Sequence, residues 1–202
     1  MRRRRAGGER RNEVLKTAIR VLAEHGYDRT RFSDVAEAAG VAVSTLQFYF
    51  GSRDDMLIEA LHQATEEEAR SLEEAAAVAS TPWERITHLI KRGLAPLPKE
   101  TWHMLLEFWY VASRDPELQK QSIILQRRYR QPFIDAIKEG IELGHFATDE
   151  DPEDLATVIL ALLDGMLIPR VCEHPYFNDE RVQSVALGST ASLLGIKEAA
   201  TQ

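Results

Sequence analysis

From Ala38 to Ser44 the chain reads AAGVAVS, and no other stretch limits the fold as much. Before it, Phe32 to Ala39 carries Val35, Ala36 and Ala39 at helical spacing. After it, Val43 to Phe50 carries Leu46 and Phe50 four residues apart. Gly40 between them can adopt the left-handed backbone that a tight reversal needs. The pattern predicts two short helices in a helix-turn-helix, whose second helix enters the DNA major groove. With Leu46 and Phe50 inward, Val43, Ser44, Thr45, Gln47 and Tyr49 are left facing out, and Phe48 joins them as a candidate DNA contact. Small hydroxyls and an amide at a helix N-terminus can hold phosphates or read base edges, and the valine can meet a thymine methyl.

The rest of the sequence is also helical in pattern. Strand-like alternation is scarce, so the expected fold is all-α with about nine helices. Apolar pairs at Val14/Leu15, Ala18/Ile19 and Leu22/Ala23 mark one buried face of a helix over 9–25, closed by Gly26. Ser52 and Asp55 predict a capped start for the fourth helix, which runs to about Val78. Thr81-Pro82 opens the fifth, and Lys99 to Ser113 forms the sixth. The seventh begins at Asp115-Pro116 and contains Pro132, which is expected to kink or split it. The eighth begins at Asp151-Pro152 and carries LATVILALLDGMLI, and the ninth covers 179–194.

Charge is divided along the chain. Residues 1–53 hold 11 Lys+Arg against 6 Asp+Glu, whereas the whole 202-residue protein has a net charge of -7. A basic first quarter on an acidic protein suits an anionic partner that docks on that quarter. The arm Arg2 to Arg5, with Arg10 and Arg11, offers further backbone or minor-groove contacts, and a solvated tail is the alternative. No apolar segment follows the arm, so it reads neither as a secretory signal nor as a membrane anchor. No run of about 18 apolar residues is present. Cys172 is the only cysteine, which rules out an intrachain disulfide and fits a cytoplasmic location. It also rules out cysteine-rich zinc sites.

The segment AIRVLAEHGYDRTRFSDVAEAAGVAVSTLQFYFGSRDDML, Ala18 to Leu57, resembles the DNA-binding domain of TetR-family transcriptional regulators. The matching elements are AEHGYDRT, DVAEAAGV, the TLxxxF pattern of the recognition helix, and a basic residue opening the next helix. The resemblance implies a homodimeric repressor that binds a palindromic double-stranded operator and is released by a small molecule. It divides the chain into a DNA-binding domain at 1–52 and a ligand-binding and dimerisation domain at 53–202. It places Arg53 on phosphate, and Arg31, Ser33 and the arm residues Arg3, Arg4 and Arg5 beside this domain join the candidate DNA contacts. Several positions depart from the family pattern. Ala42 stands where Ser or Thr usually caps the recognition helix, Val43 for Lys, Ser44 for Gly, Gln47 for Tyr, and Arg31 for Ser or Thr.

Aromatic residues concentrate in KETWHMLLEFWYVASRDPEL. Trp102, Leu105, Leu106 and Trp109 share a helical face, and Tyr129, Phe133 and Met166 are candidates to oppose them around an apolar or aromatic effector. Core packing is the alternative for each. The C-terminal half is loosely similar to the sensor domains of choline-responsive repressors. His103 and Glu107 lie four apart without a third ligand, so a hydrogen bond is expected there and no metal or cofactor. The apolar excess of LATVILALLDGMLI and the small residues of VQSVALGSTASLLG predict a homodimer through the eighth and ninth helices. A competing class is an enzyme in the C-terminal half, but the sequence contains no nucleophile elbow, phosphate loop or paired-histidine metal motif. A ligand-independent DNA binder is the third reading.

Overall fold

A computed structural model describes the backbone of residues 2–95, 99–175 and 177–196, and among these all side chains except 2–7, 99–101, 167 and 171. The described residues form ten helices. In order they are α1 (Arg2–His25), α2 (Phe32–Ala39), α3 (Val43–Phe50), α4 (Arg53–Ala77), α5 (Pro82–Gly93), α6 (Lys99–Ala112), α7 (Pro116–Glu142), α8 (Pro152–Gly165), α9 (Leu167–Val171) and α10 (Asp179–Leu193). The all-helical expectation holds. The short α9 takes the end of the segment expected as the eighth helix, so the expected ninth is α10. Pro132 lies inside α7, which continues across it as one helix.

Local sequence explains most of the boundaries. Gly26 ends α1 with φ +79°, and its N–H donates to the Leu22 carbonyl at 2.8 Å. Ahead of α5, Thr81 Oγ1 accepts the Glu84 N–H at 3.2 Å while the Glu84 carboxylate accepts the Thr81 N–H at 3.1 Å. That is a reciprocal capping box, with Pro82 at the first helical position. Asp151 caps α8 by accepting the Glu153 N–H at 2.7 Å, and Asn178 caps α10 by accepting the Arg181 N–H at 2.9 Å.

The chain divides into two compact units, one of residues 1–67 and 98–123 and the other of 68–97 and 124–202. In the first, α1 packs against α2 and α6, and α2 against α3. Its buried residues include Leu22, Val35, Leu46, Met56, Leu57, Leu61 and Phe108. In the second, α10 packs on α5 and α8, around a core that contains Ile86, Leu89, Ile90, Phe133, Ile137, Leu155 and Ala186.

Candidate nucleic-acid interface

The interface is built on α2 and α3. Gly40 at the end of α2 has φ +62°, and its N–H returns to the Glu37 carbonyl at 3.2 Å. The next N–H, of Val41, donates to Ala36 O at 3.0 Å, so the helix closes as the chain turns. Ala42 then begins α3 with no side chain to cap it. The missing hydroxyl costs the helix about 1 kcal/mol, which packing of Leu46 (0% exposed) and Phe50 (8%) must offset. At the other end of α2, the Asp34 carboxylate accepts the Arg31 N–H at 2.8 Å, and this bond chiefly holds its carboxyl below the usual range. Ser33 is exposed and donates to Asp34 Oδ1 at 3.2 Å.

Val43, Ser44, Gln47 and Phe48 of α3 are all exposed, with Thr45 and Tyr49 half-buried. Phe48 is 85% exposed. At about 100° per residue it projects about 180° away from the bisector of Leu46 and Phe50. It is therefore the outermost side chain of the helix. That signal was legible in the spacing of Leu46 and Phe50, but a phenylalanine invites assignment to a core.

Two arginines brace this head. Arg11 on α1 makes a two-toothed ion pair with Glu59 on α4, one contact at 2.6 Å. Its guanidinium lies 4.6 Å from the centre of the Phe50 ring, and its Nε reaches the Tyr49 carbonyl at 3.4 Å. Read from sequence as part of a basic arm, Arg11 instead ties α1 and α4 to the end of α3. Arg53 donates from Nε to the Thr30 carbonyl at 2.7 Å, from Nη2 to the Tyr27 carbonyl, and from Nη1 to Asp54. Its guanidinium also lies 4.9 Å from the Tyr27 ring centre. Arg53 thus clamps the loop between α1 and α2 to the start of α4. Tyr27 is pushed up to about 12, first by burial and then by the Asp54 charge, so its phenol remains neutral. Arg31 is exposed, whereas the side chains of Arg3, Arg4 and Arg5 lie outside the described residues.

From α6, Glu107 supports the same loop. Its Oε2 accepts the Tyr27 N–H at 3.3 Å. The hydrogen bond expected for the His103/Glu107 pair is thus made by Glu107, and among the described residues no His, Cys, Asp or Glu cluster could hold a metal ion. Glu107→Ala is expected to lower the stability of this unit by roughly 1–2 kcal/mol, because the Tyr27 N–H loses its acceptor. Denaturant titration followed by intrinsic fluorescence measures it, and an unchanged midpoint refutes the support.

Two family descriptions match this chain. Residues 14–60 match the bacterial regulatory proteins of the tetR family, and residues 82–195 match the C-terminal domain of BetI-type transcriptional repressors. The chain belongs to the TetR family. It is similar to the transcriptional regulator BetI of Agrobacterium fabrum, 27% identical over 161 residues that cover 79% of this chain and 75% of the relative. The fatty acid metabolism regulator of Bacillus subtilis is 22% identical over 178 residues, covering 88% and 89%. The fold is shared with a Saccharomonospora viridis transcriptional regulator solved with choline (TM-score 0.84, 24% identity, covering 95% of this chain and 100% of that one). It is also shared with Bacillus subtilis FadR solved with stearoyl-CoA (TM-score 0.74, 22% identity, covering 89% and 97%). This TetR-family chain is accordingly a DNA-binding transcriptional regulator of the repressor type.

The effector candidates divide between the two units. Trp102, Leu105, Leu106 and Trp109 are half-buried on α6 of the first, where Trp109 meets Phe108 edge-on at 5.0 Å. Tyr129, Phe133 and Met166 belong to the second. Phe133 is fully buried in its core, while Tyr129 and Met166 pack against that core partly buried. Burial, followed by the charge of Glu68, raises the Tyr129 phenol well above its ordinary value. Glu68 itself is paired with Arg92 at 2.7 Å. Among the described residues, no helix is long and apolar enough to cross a membrane.

Proposed function

We propose that this chain represses transcription as a homodimer that places two copies of α3 in successive major grooves of a palindromic operator and lets go when an effector binds. The carrying observation is the division of α3 into a buried pair, Leu46 and Phe50, and an exposed face opposite them. Residues 1–52 form the DNA-binding part and 53–202 the sensing and dimerising part. Val43, Ser44, Thr45, Gln47, Phe48 and Tyr49 face the groove. Arg31, Ser33 and the arm Arg3, Arg4 and Arg5 meet phosphates or the adjacent minor groove, and Arg53 adds its charge while clamping the loop. The copies join through α8 and α10. Thr157, Val158 and Ala161 on α8 are exposed, as are Ser184, Val185, Gly188 and Ser189 on α10. These residues are small or apolar and permit close helix approach. The protein acts by binding, not by catalysis, in a cytoplasmic setting.

The effector has an apolar or aromatic body. Its candidate contacts are Trp102, Leu105, Leu106 and Trp109 in the first unit, or Tyr129, Phe133 and Met166 in the second. Tyr129 keeps its proton and can donate to a polar end of the molecule. Tryptophan faces also attract cations, by about 0.5–2 kcal/mol. Choline and stearoyl-CoA, bound by two relatives of this fold, are the first two probes.

Pull-down of genomic DNA with the full chain, followed by footprinting, tests the reading. Protection of two inverted half-sites about one helical turn apart, relieved by an effector, is the expected result. Binding without sequence preference would refute it. Trp109→Ala is expected to abolish effector-driven release and leave effector-free operator binding intact. Were Trp109 only a packing residue, the variant would lose several kcal/mol of stability and its folded fraction would still release DNA normally. Melting temperature recorded beside operator release separates the two.

A further inference from the structure

The reading face of α3 has an unusual chemistry. Its sequence, VSTLQFYF, contains no lysine, arginine, aspartate or glutamate. Guanine is read in the major groove chiefly by arginine or lysine on O6 and N7, and cytosine by a carboxylate on N4. Neither group is present on this helix. What α3 does expose is the Gln47 amide, the Ser44 hydroxyl and two apolar side chains, Val43 (39% exposed) and Phe48 (85% exposed). A glutamine amide matches adenine, donating to N7 and accepting from the N6 amino group. Apolar side chains match the C5 methyl of thymine. An exposed phenylalanine, Phe48, stands at the crest of the helix. It is held there because Leu46 and Phe50 fix the opposite face in the core.

We propose that α3 selects A·T base pairs, with Gln47 reading an adenine and Phe48 and Val43 reading thymine methyl groups. The inference rests on α3 being the groove-reading helix of the proposed function. Arg31, at the start of α2, is an exposed cation and is left for phosphate or for a base outside the α3 footprint.

The test is selection of bound duplexes from a random library with the full-length protein, followed by replacement of selected thymines with deoxyuridine, which lacks only the C5 methyl. Selected half-sites should carry A·T pairs where α3 sits. Each deoxyuridine under Phe48 or Val43 should weaken binding about fourfold, the worth of one buried methyl. Phe48→Ala should erase that sensitivity at its own position, and its exposure means the variant folds. Gln47→Ala should relax the choice at one A·T pair by roughly 5- to 100-fold. Selection of G·C pairs across the α3 footprint would overturn the inference. So would deoxyuridine duplexes that bind as well as thymine ones, or an unchanged deoxyuridine penalty in Phe48→Ala. If the library yields no duplex that outcompetes random DNA, the DNA-reading role itself fails and the inference falls with it. Sequence-selective binding to the wrong pairs removes the inference alone.

Discussion

The double substitution Ala161→Glu and Gly188→Glu is expected to produce folded monomers that have lost roughly 100- to 10,000-fold in operator affinity. Both positions are exposed, and a Cβ added at Gly188 would meet nothing within 4 Å outside its own helix. Neither glutamate therefore clashes with the fold of one subunit. Across a twofold contact of α8 and α10, four glutamates would be buried against small and apolar residues, with like charges facing each other. Such burial costs several kcal/mol per charge. A monomer then holds one half-site instead of two. It forfeits the effective concentration by which the first head delivers the second, and that alone accounts for a loss of this order. Light scattering gives the oligomeric state and fluorescence anisotropy the affinity. A double variant that stays dimeric would move the interface to another surface.

The second large effect concerns Arg53. Family resemblance makes it a phosphate contact, and its removal would then weaken binding to all DNA and lower the salt slope by about one unit. The structure gives it further work, because three of its donors already hold Thr30, Tyr27 and Asp54. Arg53→Ala should therefore destabilise the head by roughly 2–4 kcal/mol, since two loop carbonyls lose a charged donor. DNA binding should fall with it, because the loop sets the start of α2. Arg53→Lys discriminates the two roles. Lysine restores the charge but not the planar fork that serves Nε and Nη2 at once. If phosphate contact dominates, lysine recovers both affinity and salt slope. The clamp predicts that lysine recovers the slope while melting temperature and operator affinity remain depressed. A lysine variant as stable as the parent would remove the clamp.

The helix-turn-helix was legible because its signals are local. Gly40 takes the left-handed turn that AAGVAVS implies, and Ala42 leaves α3 uncapped as its side chain requires. Thr81, Asp151 and Asn178 cap the helices they precede for the same reason. Arg11 and Arg53 were harder to read. Their partners lie 48 and 23–26 residues away, and a count of arginines cannot tell a charge offered to DNA from one held by a carbonyl or by Glu59. Pro132 illustrates a third limit. Its missing N–H and its ring disfavour a helix interior by about 3 kcal/mol. Neighbours Phe133, Ile134, Ala136 and Ile137 are all buried, and that packing keeps α7 continuous. The aromatic stripe of α6 was visible as a stripe, but helical phase alone does not separate pocket from core.

Leu46 and Phe50 secure α3 from beneath, while Ser44, Gln47 and Phe48 stand exposed. Surface substitutions of that kind change stability by only about 0.5 kcal/mol or less. Ser44, Gln47 and Phe48 can therefore be exchanged together while the scaffold keeps its margin. If α3 reads the operator as proposed, drift at three codons would redirect the protein to new promoters without passing through misfolded ancestors.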